Sequence, residues 1–398
     1  MKILHCIFAA TAFMTLSIYA GDTIRPGLEP LSSQYYVSAS EEAELINKLK
    51  EPFINGLDVQ KPLQKWFDGR LLDTQGKNAE AITAWKQGLA LFDDLKPLPK
   101  PVWQPIPEAS LNLFLKLNLR THPKVRVYLA EWKVDKLTQY GVVMTPADIK
   151  DDSRFPVILY CHGAAFGVPE SFLPWLANLV EKGYVVIAPA MRGETLFQNN
   201  LAINGKAYKC EGEIENLEGE VNDCLSMLSG AWKLPYVRPN EFAMIGHSFG
   251  AGVGLLCCAR AAAQAKALVS YDAWLVSPQR YYWDRMARSA NNWLSWEDYC
   301  NRPVDVQLAG LMTRSIVHNA ERLKCPMQFF IGGAYAGSVF HKSHDDLMGK
   351  LKAANIPYSY DIIPKGGHNF VLYPESAPAR QALEIQTKFL QKVYPPAP

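Results

Sequence analysis

Short β-rich runs alternate with helically spaced apolar stretches over most of this chain. The β-rich runs occupy residues 125–132, 139–145, 156–160, 184–188, 241–245, 267–271, 327–331 and 358–363. Those at 156–160 and 184–188 are apolar nearly throughout, the pattern of strands covered on both faces. Between the runs, residues 172–182, 213–232, 250–263 and 378–393 carry apolar side chains at helical spacing. This alternation predicts an α/β domain whose mainly parallel sheet is flanked by helices. One long departure, residues 277–324, interrupts it between two strands and reads as a cap insertion.

The region before the sheet has a different texture. Residues 41–50 predict a helix, and residues 62–73 and 78–91 predict a helical hairpin turning at Gln75-Gly76-Lys77. Gly69, Ala81, Trp85 and Leu89 are spaced as in one tetratricopeptide repeat, but no second copy follows, and one repeat cannot bury its own face. The pair therefore reads as a helical accessory segment. Pro97, Pro99, Pro101, Pro105 and Pro107 then make an extended, semi-rigid stretch. It divides an N-terminal helical segment, 21–107, from a catalytic domain, 108–398.

The first twenty residues read as an export signal. Lys2 precedes an apolar run from Ile3 to Ala20, and Ala20-Gly21 is a small-residue cleavage point followed by Asp22, Thr23 and Arg25. The alternative is an uncleaved anchor. The expectation is a secreted or periplasmic protein.

Composition narrows the classes. A net charge of +2 with 20% charged residues gives no basic patch for nucleic acid. Of the 8 cysteines, removal of Cys6 leaves an odd number, so at least one thiol stays free. Cys161, Cys257, Cys258 and Cys325 lie in or beside apolar segments; Cys210, Cys224 and Cys300 stand in more polar ones, where one bridge can form. No Cys-x-x-Cys is present, and His341 and His344 lack an obvious third ligand, so neither cofactor nor metal is expected.

The sharpest chemical signal is Gly246-His-Ser-Phe-Gly250, preceded by a buried strand and followed by a small-residue helix. Such a turn projects the hydroxyl of Ser248 above the sheet, with Gly246 and Gly250 leaving room for strand and helix to approach. A serine hydroxyl needs a general base. His368 stands on a glycine-rich loop after a late strand, where the order Ser, acid, His places it; His247 reads as a packing neighbour. The oxyanion requires two backbone donors. Phe249 supplies one, and the loop after the strand at 156–160 supplies the other, from Ala164 or next from Gly163. For the acid, the loop at 332–338 holds no carboxylate. Asp272, at the end of the preceding strand, is the candidate, with Asp345 or Asp346 as alternatives.

Gly-His-Ser-Phe-Gly at 246–250 together with Asp272-Ala-Trp274 resembles the plasma-type platelet-activating-factor acetylhydrolases, the group VII phospholipases A2, of the α/β-hydrolase superfamily. Cys161-His162-Gly163, Arg192, Pro326-x-x-Phe329-Phe330-Ile331 and His368-Asn369-Phe370 add to the likeness, which covers residues 125–393. The resemblance implies a calcium-independent triad of Ser248, Asp272 and His368 with oxyanion donors at Phe249 and Ala164. The N-terminal helices and the 277–324 insertion have no counterpart there. The substrate expected is a small-molecule or lipid ester. The insertion, with Tyr281, Tyr282, Trp283, Trp293, Trp296 and Tyr299 among Arg280, Arg285 and Arg288, reads either as a lid touching a lipid surface or as a cap whose aromatics form its own core. Two rivals stand: a serine peptidase of dienelactone-hydrolase or prolyl-oligopeptidase type, and an inactive hydrolase fold that binds a partner through the helical hairpin.

Overall fold

The computed structural model describes residues 38–163, 167–286 and 303–397, with the side chains of 284–286 left out. By its internal contacts the chain forms two units, one of Met1–Leu98 with Tyr282–Leu308, the other of Pro99–Tyr281 with Ala309–Pro398.

The second unit is built on a nine-stranded sheet. Its strands are β1 (Asn112–Asn118), β2 (Val125–Val134), β3 (Leu137–Pro146), β4 (Val157–Cys161), β5 (Val185–Pro189), β6 (Phe242–His247), β7 (Ala265–Tyr271), β8 (Met327–Gly332) and β9 (Ser359–Ile363). They lie in the order β1-β2-β3-β5-β4-β6-β7-β8-β9. The first three form an antiparallel meander that meets β5 antiparallel, and all pairs beyond are parallel. This is the α/β-hydrolase fold. Strands β4, β5 and β6 are buried at every position, which is why their sequence is a continuous apolar run. Strand β1 escapes the sequence reading because, at the edge, its pattern alternates only between exposed and half-buried.

Helices Leu173–Glu181, Gly219–Ala231, Ser248–Arg260, Val339–Ala353 and Ala377–Val393 accompany these strands. The last starts where Ser376 caps it, its hydroxyl accepting from Ala379 N–H at 3.3 Å, with proline in the first turn. Parallel strands place their C-terminal ends along one rim of the sheet, and the loops there carry Cys161-His162-Gly163, Ser248, Asp272 and the segment after β8. Behind the rim, the guanidinium of Arg192 binds Asp223 through Nε and Nη2 and also reaches Asp135 and Glu215. It fastens the loop after β5 to helix Gly219–Ala231.

The first unit contains α1 (Ser40–Ile54), α2 (Gln60–Thr74) and α3 (Asn78–Leu89). The hairpin of α2 and α3 forms as the spacing predicts, Trp85 Nε1 donating to the carbonyl of Trp66 at 3.3 Å. Phe53 packs against Tyr282 and Trp283, with ring centroids 5.3 and 5.5 Å away, and Tyr282 donates its hydroxyl to Gln307 at 2.6 Å. The boundary thus falls at Leu98, within the proline stretch, and part of the insertion shares a core with the N-terminal helices. Tyr282 and Trp283 are buried there and present no surface to a lipid. Trp293, Trp296, Tyr299, Arg288 and Cys300 lie outside the described residues, as do residues 1–20 and the export signal read there.

Candidate active site

Strand β6 ends at His247, and helix Ser248–Arg260 begins on the next residue. Between them Ser248 has φ +52°, a left-handed conformation that a residue with a Cβ adopts only under strain. Gly250 is required by proximity: a Cβ there would lie 2.2 Å from the carbonyl oxygen of His162. The tight turn leaves Ser248 8% exposed. Phe249 is the second residue of the helix, where the N–H has no intrahelical acceptor and the helix dipole favours negative charge.

The loop after β9 brings the base. His368 Nε2 lies 2.8 Å from Ser248 Oγ. The sequence pairing of these two residues, 120 positions apart, is met in space. The loop is pinned twice: Gly366 accepts from Ala334 N–H at 3.0 Å, and the carbonyl of His368 accepts from His247 Nε2 at 2.9 Å. His247 is therefore more than packing, since it holds the backbone of the base. Burial lowers its imidazole to about 4, which keeps it neutral with Nε2 as donor. Burial likewise lowers His368 to about 3, and the neighbouring imidazoles of His247 and His344 act in the same sense by disfavouring a second proton in the cluster. A neutral imidazole is what a general base must be.

Asp272 sits at the end of β7 with φ +47° and is fully buried. Its Oδ1 accepts from Gly332 N–H at 2.8 Å and from the hydroxyl of Tyr335. Burial raises the carboxyl to about 7, although these two hydrogen bonds pull it down. One expectation is not met: no hydrogen bond joins Asp272 to His368. Asp272 Oδ2 and His368 Nδ1 are both buried and both lack a hydrogen-bond partner. Both donors to the carboxylate, Gly332 at the end of β8 and Tyr335 just after it, engage Oδ1 and leave Oδ2 open. Tyr335 nonetheless keeps acid and base in one cluster, its ring centroid 6.0 Å from that of His368. The alternatives fall away, because Asp345 is exposed and Asp346 is held by Arg280 at 2.5 and 2.8 Å.

Aromatic rings wall the site. Phe340 lies 4.7 Å from His368, centroid to centroid, and Phe249 stacks on Trp274 at 5.5 Å. Tyr281 connects the two groups, 6.2 Å from Trp274 and 5.6 Å from Phe340. The backbone N–H of Trp274 donates to the carbonyl of Ser248 at 2.9 Å, tying the acid loop to the nucleophile.

On the opposite side, Gly163 abuts the nucleophile: a Cβ there would stand 2.5 Å from His247 Nδ1 and 3.1 Å from Ser248 Cβ. Ala164, expected as an oxyanion donor, lies outside the described residues. Sequence reasoning missed Tyr335 and the role of His247. The first stood in a loop searched for carboxylates alone.

Among the described residues no group of three or more His, Cys, Asp or Glu is arranged to hold a metal ion. His341 and His344, spaced like ligands, instead bond the carbonyls of Gly332 at 2.9 Å and Phe340 at 2.8 Å. Cys210 and Cys224, expected in polar surroundings, are buried free thiols; the Cys210 side chain turns in, its Sγ–H donating to the carbonyl of Ala190 at 3.3 Å, while Lys209 and Glu211 on either side stay exposed. Among the described residues no helix is long and apolar enough to cross a membrane.

Known proteins place this geometry in context. The chain is 26% identical to dipeptidyl aminopeptidase BIII of Pseudoxanthomonas mexicana over 279 residues, 66% of this chain and 37% of that protein. It spans between 15% and 37% of the length of the curated relatives it matches. In fold it is similar to an acetyl xylan esterase from Paenibacillus sp. R4, with a TM-score of 0.50, 16% identity and coverage of 73% of this chain and 90% of that one. An acylaminoacyl peptidase of Pyrococcus horikoshii aligns at a TM-score of 0.50 and 13% identity, over 77% and 52% of the two chains. A model of the dienelactone hydrolase family matches residues 141–394. That span holds Ser248, Asp272 and His368 and well over half of the sequence, and the chain belongs to the dienelactone hydrolase family.

Proposed function

We propose that this chain is a secreted serine hydrolase that cleaves a carboxylic ester through an acyl-enzyme on Ser248. The observation that carries the reading is the 2.8 Å contact between Ser248 Oγ and His368 Nε2, made at a residue with φ +52°. His368 removes the hydroxyl proton as Oγ attacks the ester carbonyl. Negative charge then develops on the carbonyl oxygen and is met by the N–H of Phe249 and a donor from the loop beginning at Gly163, with Ala164 as the assigned residue. Positive charge develops on the imidazole at the same time. Nδ1–H then needs an acceptor, and we assign Asp272 Oδ2, which is buried and has no donor. Catalytic hydrogen bonds that are long at rest tighten when charge appears. His368 passes its proton to the leaving alcohol, and water, activated by the same base, releases the acid.

Within this class we favour small or short acyl groups, including the esters expected from the acetylhydrolase resemblance, since Phe340 lies against the base and Trp274 stacks on Phe249, the residue after the nucleophile. Secretion rests on Lys2 and the apolar run to Ala20. A peptidase is the second reading, favoured by the likeness to a dipeptidyl aminopeptidase; amide cleavage uses the same groups. Steady-state hydrolysis of p-nitrophenyl acetate against a dipeptide p-nitroanilide separates them. The ester reading expects kcat/KM for the acetate to exceed that for the anilide by at least about 100-fold, with both lost in Ser248→Ala. Preference for the anilide would transfer the proposal to peptides.

A further inference from the structure

A buried carboxylate outside the triad touches both His162 and Gly167, close to the nucleophile. Glu194 Oε2 accepts from Gly167 N–H at 3.0 Å and stands 3.1 Å from His162 Nε2, with both side chains fully enclosed. The histidine contact lies off the hydrogen-bond line, since His162 Nε2 and Glu194 Oε1 have no aligned partner. It is a close electrostatic contact and not a well-aligned bond. His162 and Gly167 stand on either side of residues 164–166 in the sequence. The backbone around Glu194 follows suit: Val168 N–H donates to Leu196 at 2.9 Å, and Gln198 N–H to Val168 at 3.2 Å. Gly167 has φ +89°, and a Cβ on it would lie 2.0 Å from the carbonyl oxygen of Thr195, so Gly167 itself packs closely on residues 194–198. The His162 carbonyl abuts Gly250, and Gly163 abuts Ser248 and His247.

We propose that Glu194, acting with His162, is a positioning residue for oxyanion stabilisation, fixing the distance of the Gly163 backbone from Ser248. The inference rests on the acyl-enzyme reading above. Burying a carboxylate is costly unless its position matters or it is well paired. Here it has one aligned donor, the N–H of Gly167. What the carboxylate adds is an acceptor for Gly167 N–H and a partner for His162.

The test uses the full chain with Glu194→Ala and Glu194→Gln, active sites counted by fluorophosphonate titration. Three quantities are measured: kcat and KM for p-nitrophenyl acetate, inhibition by phenylboronic acid, whose tetrahedral adduct mimics the intermediate, and hydrogen exchange of residues 162–168. In Glu194→Ala, kcat should fall about 10–100-fold with KM within about threefold. Boronate inhibition should weaken in parallel, and exchange of the Gly167 amide should accelerate. Glu194→Gln, which retains an acceptor for Gly167, should recover most of the loss. An alanine variant with kcat, boronate inhibition and exchange all unchanged overturns the proposal. If that variant does not fold, His162→Asn carries the same expectations and the same power to refute. If the wild type hydrolyses no ester, the acyl-enzyme reading fails, and exchange alone decides whether Glu194 holds Gly167.

Discussion

The two faces of His368 differ sharply. Its Nε2 meets Ser248 Oγ at 2.8 Å, while its Nδ1 is buried without a partner. The nucleophile side is finished at rest: the base is pinned through its carbonyl by His247, and Ser248 is set by a strained turn. The acid side is assembled but not closed. Asp272 is held through one oxygen by Tyr335 and Gly332, and its second oxygen waits. Attack requires alignment before any charge forms, whereas the acid is needed only once the imidazole becomes cationic. A resting bond to Asp272 is thus dispensable in a way that the bond to Ser248 is not.

Mutations should separate the halves. Ser248→Ala removes the group on the finished side, and kcat/KM for p-nitrophenyl acetate should fall about 10⁴–10⁶-fold, close to the level of residual binding and oxyanion stabilisation. Asp272→Asn acts only on charge development, with an expected loss of about 10²–10⁴-fold. An equal loss from the two would mean that Asp272 already orients the base at rest. Tyr335→Phe deletes one of the two donors to Asp272 Oδ1. A hydrogen bond to a charged group is worth about 1.5–3 kcal/mol, so kcat should fall about 10–100-fold. Asp345→Asn should stay within about twofold, since that side chain is exposed.

The pH dependence follows the same division. With His368 lowered to about 3, it is already a neutral base over the ordinary range. Asp272, raised by burial to about 7, must ionise to stabilise the imidazolium. Thus kcat/KM should rise with pH to a plateau above about 7, the limb belonging to the coupled pair, and Tyr335→Phe should move it upward. Stability has the opposite sign. A carboxyl raised from 3.8 to about 7 binds its proton more readily in the folded state. Its contribution is therefore lost as pH rises through that window. At pH 8, Asp272→Asn should melt about 2–4 °C above wild type while being far less active.

The sheet was legible because buried parallel strands are written as unbroken apolar runs, and β4, β5 and β6 are of that kind. Strand β1 was not, because its positions are exposed or half-buried. Ser248 and His368 were legible from local turn chemistry and chain order. Asp272 was found by position at a strand end, yet nothing local encodes which of its oxygens is occupied; that depends on Tyr335, 63 residues away. The contact of Phe53 with Tyr282 and Trp283 shows the same limit. Each ring looks like ordinary core in its own segment, and only the fold brings them together.

The most direct test is a covalent one. Wild-type protein treated with a fluorophosphonate, digested and analysed by mass spectrometry should carry one adduct on Ser248, and the rate of labelling should collapse in His368→Ala. An unlabelled wild type, or an adduct on another residue that persists in Ser248→Ala, would contradict the account.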